Sequence, residues 1–432
     1  MMQGENSGVP VHGTVEDALK LIRSGDVIAT PCYANEPSIF LSRLHTVAAS
    51  LEGVQLWSTN PVQAYPVITD PSLNGHIDIL SIFYGAASRS GHPLKRISLA
   101  PTNLSASGPV QVHTAKPTVF VAAVTPADAD GNVHLSVDLQ YSLDCMEAAD
   151  RIIFEINPRL PMTFGETAMP LTTADLVYEA DTPLTCAPEI RSTAVEEAIA
   201  GYVVTLVNDG DCIQIGIGGT PNAVGQALAA RHDLGVHTEM ITSSIGELIR
   251  KGVITNRRKN FCTGKTVGAF AWGDQALYDL MNDNPDFLLK RSSWVNDPFV
   301  IAQNDNMVSI NTALQIDLTG QVCSESIGPR QYSGSGGAFD FAYGAYRSRG
   351  GRSIIAINST AKNGSISKIQ TSLTPGAIVT ISRNVVDYVV TEYGIAKLRD
   401  RTVRQRVENL IAVAHPDFRA QLREEAEKNM LW

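Results

Sequence analysis

The sequence lacks the features that mark membrane proteins and nucleic-acid-binding proteins. None of its uninterrupted apolar stretches approaches the roughly 18 residues that a membrane-spanning helix requires. The formal net charge is −10, so the chain has no excess of the basic residues that broad binding to nucleic acid or anionic membranes requires. An anionic ligand would therefore have to be held by local cations or by backbone N–H groups.

Cysteine is also scarce, and the first residues have no leader character. The six cysteines form no Cys-x-x-Cys pair and no Cys/His spacing suited to zinc, so we predict reduced thiols and no metal site. The N-terminal residues 1–8 contain neither the basic segment nor the apolar segment of a secretory signal. We therefore expect a cytoplasmic protein.

What the sequence does contain is the composition of a globular protein and an internal repeat. Of its residues, 44% are hydrophobic and 18% are charged. The length of 432 residues exceeds the size at which a single hydrophobic core usually keeps growing. Residues 14–37 give the order helix, Gly-Asp turn, apolar strand and loop ending in proline. Residues 195–221 repeat that order. We predict an α/β fold made of two tandem open-sheet domains, residues 1–188 and 189–432, related by this repeat.

Short apolar segments and amphipathic segments support the α/β prediction. The apolar ones are typical of strands covered on both faces of a sheet. The predicted strands are residues 119–124, 151–155, 212–215, 353–357, 377–381 and 385–390. The predicted helices are residues 221–231 and 243–251 and a charged C-terminal tail, 403–428.

Two glycine-rich loops are candidate binding elements. The first loop is Gly216, Ile217, Gly218, Gly219 and Thr220. It follows a predicted strand and precedes a helix, where backbone N–H groups can receive an anion. Its spacing is not the Gly-x-Gly-x-x-Gly of dinucleotide sites, although Glu239 follows at about the distance of their ribose-binding acid. A tight turn required only by packing is the alternative.

The second glycine loop contains Gly334, Gly336 and Gly337 and precedes an aromatic segment, residues 339–346. Three glycines so close together suggest backbone brought near a ligand or another strand. A flexible loop is the alternative, but the aromatic segment that follows is unlike a linker.

Several polar residues are candidates for chemistry. Glu239, in His-Thr-Glu-Met, could be a nucleophile, a general base or a metal ligand, with a helix cap or surface role as the alternative. Asn296 and Asn311 belong to an Asn- and Asp-rich region that could orient a carboxylate or simply form turns. Lys362 could contact a phosphate or be a solvated loop lysine.

Taken in order, these segments resemble the acetyl-CoA hydrolase/transferase family, and within it the 4-hydroxybutyrate and butyryl-CoA:acetate CoA-transferases. The match is collinear over roughly residues 200–400. It includes Gly-Ile-Gly at 216–218, His-Thr-Glu-Met at 237–240, Val-Asn-Asp-Pro at 295–298, Ile-Asn at 310–311, Asp-Leu-Thr-Gly-Gln-Val at 317–322, Ser-Glu-Ser-Ile-Gly at 324–328, residues 331–340, Gly-Gly-Arg-Ser at 350–353 and Val-Val-Thr-Glu-Tyr-Gly-Ile-Ala at 389–396.

The resemblance implies a tandem pair of open α/β domains and a CoA-transferase that works through a glutamyl-CoA thioester on Glu239. Asn296 resembles the asparagine that orients this glutamate. The substrates implied are acyl-CoA and small carboxylic acids such as acetate, butyrate or 4-hydroxybutyrate, with no metal and a homodimeric assembly. The residues expected along CoA are Gly216, Ile217, Gly218, Gly219, Thr220, Asn311, Gly334, Gly336, Gly337 and Lys362.

Two other functions stay open at this point. An acyl-CoA hydrolase would use the same glutamate and loops with water as the acceptor, and a non-catalytic CoA-ligand binding protein could be built on the same fold. The chain also departs from the family pattern at Ala338 and Tyr343. The resemblance therefore does not specify which carboxylic acid is used.

Overall fold

The computed structural model describes residues 9–431, which form two compact units. The first unit contains the chain up to Ala187 together with Gly268–Trp294. The second contains Pro188–Val267 and the chain from Val295 onward. The domain bounds expected from the sequence, 1–188 and 189–432, stay a prediction. The N-terminal residues on which a missing leader was predicted lie outside the described residues.

An eight-stranded parallel sheet organises the first unit. Its strands are β1 Val11–His12, β2 Val27–Ala29, β3 Val54–Trp57, β4 Ile77–Ser81, β5 Ile97–Leu99, β6 Val119–Val124, β7 Arg151–Ile156 and β8 Leu176–Glu179. They lie in the order β1-β8-β7-β6-β2-β3-β4-β5. The helices of this part are α1 Val15–Lys20, α2 Ser38–Arg43, α3 Pro66–Thr69, α4 Ala86–Gly91, α5 Ser107–Thr114 and α6 Ser142–Ala148.

The second unit has its own open sheet. Its strands are β9 Cys212–Ile215, β10 Gly235–Thr242, β11 Met307–Thr312, β12 Arg352–Ala356, β13 Tyr388–Thr391 and β14 Gly394–Lys397. They lie in the order β10-β9-β11-β12-β13-β14, with only the last pair antiparallel. The helices are α7 Ala194–Val204, α8 Gly219–Ala227, α9 Ser243–Arg250, α10 Pro298–Ile301, α11 Ala338–Arg347, α12 Val403–Val413 and α13 Pro416–Lys428.

Shorter elements complete the fold. The elements in and around the segment 268–294 are, in chain order, the strand Thr266–Trp272, the helix Gln275–Met281, the strand Phe287–Leu289 and the helix Ser292–Val295. The remaining strands are Asn132–His134, Ala168–Pro170, Gln315–Asp317, Val322–Cys323, Ser326–Ile327, Arg330–Gln331, Thr360–Ala361, Ile366–Ser367 and Ile369–Gln370. The 3₁₀ turns are Tyr33–Asn35, Leu44–Ser50, Pro71–Leu73, His92–Leu94, Leu104–Ala106, Leu171–Thr173 and Leu228–Ala230.

The predicted mixed α/β fold with open sheets is confirmed, and the strand order repeats between the units. In each unit the first core strand lies centrally, the next strand lies on one side, and three later strands lie successively on the other side: β3-β2-β6-β7-β8 and β10-β9-β11-β12-β13. The turn glycines of the repeat also agree, because Gly25 and Gly210 have φ values of 80° and 82°. A side chain is strained in that conformation, so both turns favour glycine.

Two of the predicted elements were wrong. Residues 377–381 form no strand and make only the isolated bridge between Val322 and Ile381. They follow a Pro-Gly turn, and Ile378 and Val379 are 39% and 45% exposed, so their apolar side chains do not cover a sheet. The tail is two helices instead of one, because Pro416 cannot continue α12 and instead begins α13.

Each unit has its own buried apolar cluster. In the first unit the cluster includes Phe40, Leu56 and Val121, and in the second it includes Ile316 and Leu410. Over the part of the chain that the structure describes, no helix is both long enough and apolar enough to cross a membrane.

Arg291 is the centre of an ion-pair network inside the first unit, and its loss is expected to destabilise that unit. Its guanidinium lies 3.1 Å from Asp144, 2.7 Å from Glu147 and 3.5 Å from Glu166, and only 24% of its side chain is exposed. Arg291→Ala leaves Asp144, whose side chain is 15% exposed, without its cationic partner, whereas Glu166 keeps Lys290 at 3.1 Å. The loss at Asp144 should lower the free energy of unfolding by about 1–3 kcal/mol in urea denaturation.

The matched control is Lys116→Ala. The Lys116 ammonium pairs with Asp150 at 2.6 Å, but both side chains are more than half exposed. Exposed pairs contribute at most about 1 kcal/mol. Equal destabilisation by the two substitutions would contradict a special role of the Arg291 network.

Candidate active site

Glu239 projects from the middle of β10 in the second unit. The strand, Gly-Val-His-Thr-Glu-Met-Ile-Thr, is rich in β-branched residues and is buried except at Glu239, which is half-buried. A helix cap was one alternative for Glu239, but α9 begins only at Ser243. Glu239 is therefore fixed by a sheet and does not cap a helix.

Asn296 holds the carboxylate of Glu239. Its Nδ2 donates a hydrogen bond to Glu239 Oε2 at 3.0 Å, and its side chain is completely buried. Asn296 and Asp297 form a two-residue joint between the helix Ser292–Val295 and α10. Asp297 caps α10 by accepting a 2.8 Å hydrogen bond from the Phe299 N–H. The structure thus brings together the two residues that the resemblance paired, and their catalytic roles stay predictions.

Gly337 is the third residue at this site. Its backbone N–H donates to the Glu239 carboxylate. A Cβ atom placed on Gly337 would lie 1.9 Å from Glu239 Oε2 and 2.3 Å from Asn296 Nδ2. Its φ of −95° is available to any residue, so it is lack of space and not backbone conformation that requires glycine.

The surroundings make the Glu239 carboxyl unusually basic. Burial raises the pKa of Glu239 to about 7, and the nearby Asp340 carboxyl also raises it, while the hydrogen bonds from Asn296 and Gly337 lower it. Asp340 is 1% exposed and lies in the first turn of α11, three residues after Gly337. A more basic carboxylate is a stronger nucleophile, at the expense of a larger protonated fraction near neutral pH.

The first glycine loop has both a packing role and an exposed surface. A Cβ on Gly219 would lie 2.1 Å from Glu196 Oε1, so glycine at this position leaves room for the Glu196 carboxylate. The Gly216 N–H is used by the Ile310 carbonyl at 3.2 Å, and Gly218 caps α8 with φ 126°. Ile217 is 47% exposed. Contact of this loop, including Thr220, with CoA stays a prediction.

Four further candidates lie in different surroundings. Asn311 is engaged inside the sheet, where its amide bonds Gln214 and Ser309 at 2.9–3.4 Å. Lys362 is exposed in the turn between the short strands Thr360–Ala361 and Ile366–Ser367. Gly334 and Gly336 lead to Gly337 in the second glycine loop, and Gly336 has φ 53°. Roles for these residues in CoA binding stay predictions.

The residues that sequence reasoning did not assign are Asp340 and His237. Asp340 stands in the Gly-Gly-Ala-Phe-Asp-Phe segment, but only the fold shows that its charge acts on Glu239. His237 was visible in the motif, and the strand period of two places it on the same face as Glu239. In the range 9–431, no group of three His, Cys, Asp or Glu side chains could hold a metal ion.

Comparison with known proteins gives a consistent result. Residues 273–426 match the acetyl-CoA hydrolase/transferase C-terminal domain. The chain is 40% identical to a succinyl-CoA:cyclohexane-1-carboxylate CoA transferase from Geobacter metallireducens, over 95% of this chain and 94% of that protein. It is 44% identical to a 4-hydroxybutyrate coenzyme A transferase from Clostridium kluyveri, over 72% of each chain. The crystal structure of RipA from Yersinia pestis superposes with a TM-score of 0.92 at 35% identity, covering 98% of both chains.

The chain therefore belongs to the acetyl-CoA hydrolase/transferase family. It is an enzyme, a CoA-transferase that works between acyl-CoAs and carboxylic acids.

The space at Gly337 gives a direct test of the site geometry. Gly337→Ala places a methyl group against Glu239 and Asn296, and we expect at least a roughly 100-fold loss of kcat/KM with the fold retained, because the carboxylate must move. The matched control is Gly201→Ala in α7, where a Cβ would meet nothing within 4 Å. Full activity of the Gly337→Ala enzyme in a transferase assay would contradict the geometry.

Proposed function

We propose that this enzyme moves CoA between a short-chain acyl-CoA and a small carboxylic acid by a ping-pong mechanism through a glutamyl-CoA thioester on Glu239. The observation that carries the proposal is the Glu239 carboxylate, whose pKa is raised by burial to about 7 and which accepts hydrogen bonds from Asn296 and Gly337. The names of similar enzymes, a succinyl-CoA:cyclohexane-1-carboxylate CoA transferase and a 4-hydroxybutyrate coenzyme A transferase, support carboxylic acids as the substrates.

The first half-reaction forms and then opens an anhydride. A Glu239 carboxylate oxygen attacks the thioester carbon of acyl-CoA, the C–S bond breaks, and a mixed anhydride and the CoA thiolate result. The thiolate then attacks the Glu239 carbonyl carbon, and the bond from that carbon to the bridging oxygen breaks. The acyl group leaves as its carboxylate, and the enzyme carries glutamyl-CoA. An acceptor carboxylate reverses these steps, so neither water nor a net proton is consumed.

Asn296 contributes to this sequence in two ways. In the resting enzyme its amide holds Oε2, which leaves Oε1 to attack. When the thiolate attacks Glu239 itself, negative charge develops on the glutamyl oxygen, where the same amide is available as a donor. Removal of one such donor typically costs about 3–4 kcal/mol of transition-state stabilisation. Backbone N–H groups of the two glycine loops are the proposed donors for the oxyanion on the substrate.

The intermediate can be observed directly. We expect wild-type enzyme incubated with acetyl-CoA to gain one CoA, bound as a thioester on the peptide that contains Glu239 and removed by hydroxylamine, in intact and peptide mass spectrometry. Glu239→Gln should gain nothing and should lose transferase activity, because an amide is not a nucleophile at this position. Thiol release that does not depend on an added carboxylate would identify a hydrolase instead.

The pH dependence follows from the basic carboxyl. Because the attacking form is the carboxylate, kcat/KM should fall about tenfold per pH unit below the pKa of about 7 and level off above it. Asn296→Ala removes a hydrogen bond that stabilises the carboxylate, so the acid limb should move to higher pH. A profile that is flat between about pH 5 and pH 8 would argue against a carboxylate nucleophile with a raised pKa.

The identity of the acids, the homodimer and the cytoplasmic location stay predictions. A panel of carboxylates such as acetate, butyrate, 4-hydroxybutyrate and cyclohexane-1-carboxylate, each offered as acceptor to one acyl-CoA donor, ranks the substrates by kcat/KM.

A further inference from the structure

His237 is buried in the strand that carries Glu239 and contacts the residue next to Asn296. Its side chain is completely buried, and its Nε2 lies 2.8 Å from the carbonyl oxygen of Val295. A carbonyl oxygen only accepts hydrogen bonds, so Nε2 carries the ring proton. Burial, with a further effect from the charge of Lys259, lowers the pKa of His237 to about 3. The ring is therefore a neutral donor at every pH at which the enzyme would be assayed.

The contact with Val295 bears on Asn296 through the peptide bond. The Val295 carbonyl and the Asn296 N–H belong to one planar unit, so a donor that fixes the carbonyl also fixes the backbone from which the Asn296 side chain departs. On the other side, Asp297 caps α10 and Pro298 begins it. The backbone of Asn296 is thus restrained from both directions, by the hydrogen bond at Val295 before it and by the helix cap at Asp297 after it.

His237 and Glu239 both lie on β10. Residues two apart in a strand point to the same face, so His237 and Glu239 project side by side. His237 holds the backbone at Val295, and Glu239 receives the amide of the next residue, Asn296, at 3.0 Å. The two hydrogen bonds join β10 to the adjacent residues Val295 and Asn296. The His237 ring also lies 6.2 Å from that of Phe341 in α11, centroid to centroid, so the helix that follows Gly337 packs nearby.

We propose that His237 is a positioning residue that holds the Asn296 amide on the Glu239 carboxylate through its hydrogen bond to Val295. The inference rests on the proposed role of Glu239 as the nucleophile. In this role His237 transfers no proton, because its ring stays neutral and donates its N–H to the Val295 carbonyl. A core histidine with only a packing role would fill the same space without affecting the ionisation of Glu239.

The test replaces the donor and measures rate and pH dependence. His237→Phe keeps an aromatic ring but removes the N–H, and His237→Gln retains an N–H that can reach a carbonyl. We expect His237→Phe to lower kcat about 10–100-fold with KM for acyl-CoA changed less than about threefold, and to move the acid limb of kcat/KM to higher pH. His237→Gln should recover most of both effects. Asp340 and Lys259, the charged groups facing Glu239 and His237, are unchanged in these variants.

A double-substitution cycle separates positioning from general damage. If His237 acts through Asn296, the enzyme with both His237→Phe and Asn296→Ala should be no slower than Asn296→Ala alone. The matched control is His134→Phe in the first unit, another buried histidine whose Nδ1 lies 3.1 Å from a backbone carbonyl, that of Thr163. This control should leave the acid limb in place, and thermal unfolding confirms that each variant is folded.

Additive losses in the cycle, or an unshifted acid limb in a folded His237→Phe enzyme, would overturn the positioning role. Failure of the underlying mechanism gives a different result. In that case wild-type enzyme forms no CoA adduct on Glu239, whereas a wrong assignment of His237 alone leaves the wild-type adduct intact.

Discussion

The short contact between Glu239, Asn296 and Gly337 is the interaction on which the account of this enzyme depends. A carboxylate taken out of water becomes weakly acidic unless donors hold it, and here two donors partly offset burial and the neighbouring Asp340. The balance leaves the pKa near 7, where the group is basic enough to attack a thioester and still substantially ionised. A side chain at position 337 would remove this arrangement, because the space is already filled by Glu239 and Asn296.

The fold explains how residues far apart in sequence meet there. The parallel sheet of the second unit places β10 beside β9, and His237 on β10 holds the backbone at Val295. The first glycine loop follows β9 and opens α8, so it leaves the carboxyl end of a strand next to β10. In open α/β sheets this edge, at a reversal of strand order, is where ligands usually bind. The repeat gives the first unit the same strand order, although its corresponding loop has no glycine run between Thr30 and Pro37.

Much of the fold was predictable from local pattern. Buried strands such as residues 119–124 and 212–215 match the structure at both ends, because a short, largely apolar run in which half the residues are β-branched, bounded by turn signals, is typical of a buried strand. The strand predicted at 377–381 failed because the run follows a Pro-Gly turn and its residues Ile378 and Val379 lie at the surface, and burial depends on tertiary contacts. The break at Pro416 was legible in the sequence, and the single predicted tail helix overlooked it.

The site was predictable only in part. Motif resemblance selected Glu239 and Asn296, and the structure places them in contact. The resemblance could not supply the effect of Asp340 on the Glu239 pKa or the hydrogen bond from His237 to Val295. Both depend on distances between separate elements, which a linear pattern does not contain. For Gly219 the sequence left packing and ligand binding as alternatives, and the closeness of Glu196 accounts for the packing part.

The most direct test of the central claim follows an oxygen atom. Turnover with acyl-CoA and an ¹⁸O-labelled carboxylate acceptor in unlabelled water should leave ¹⁸O in the side chain of Glu239, because the acceptor loses one oxygen to the glutamate when its own thioester forms. Peptide mass spectrometry after turnover should find the label in the Glu239 peptide and in no other. An unlabelled Glu239 after many turnovers would contradict the account.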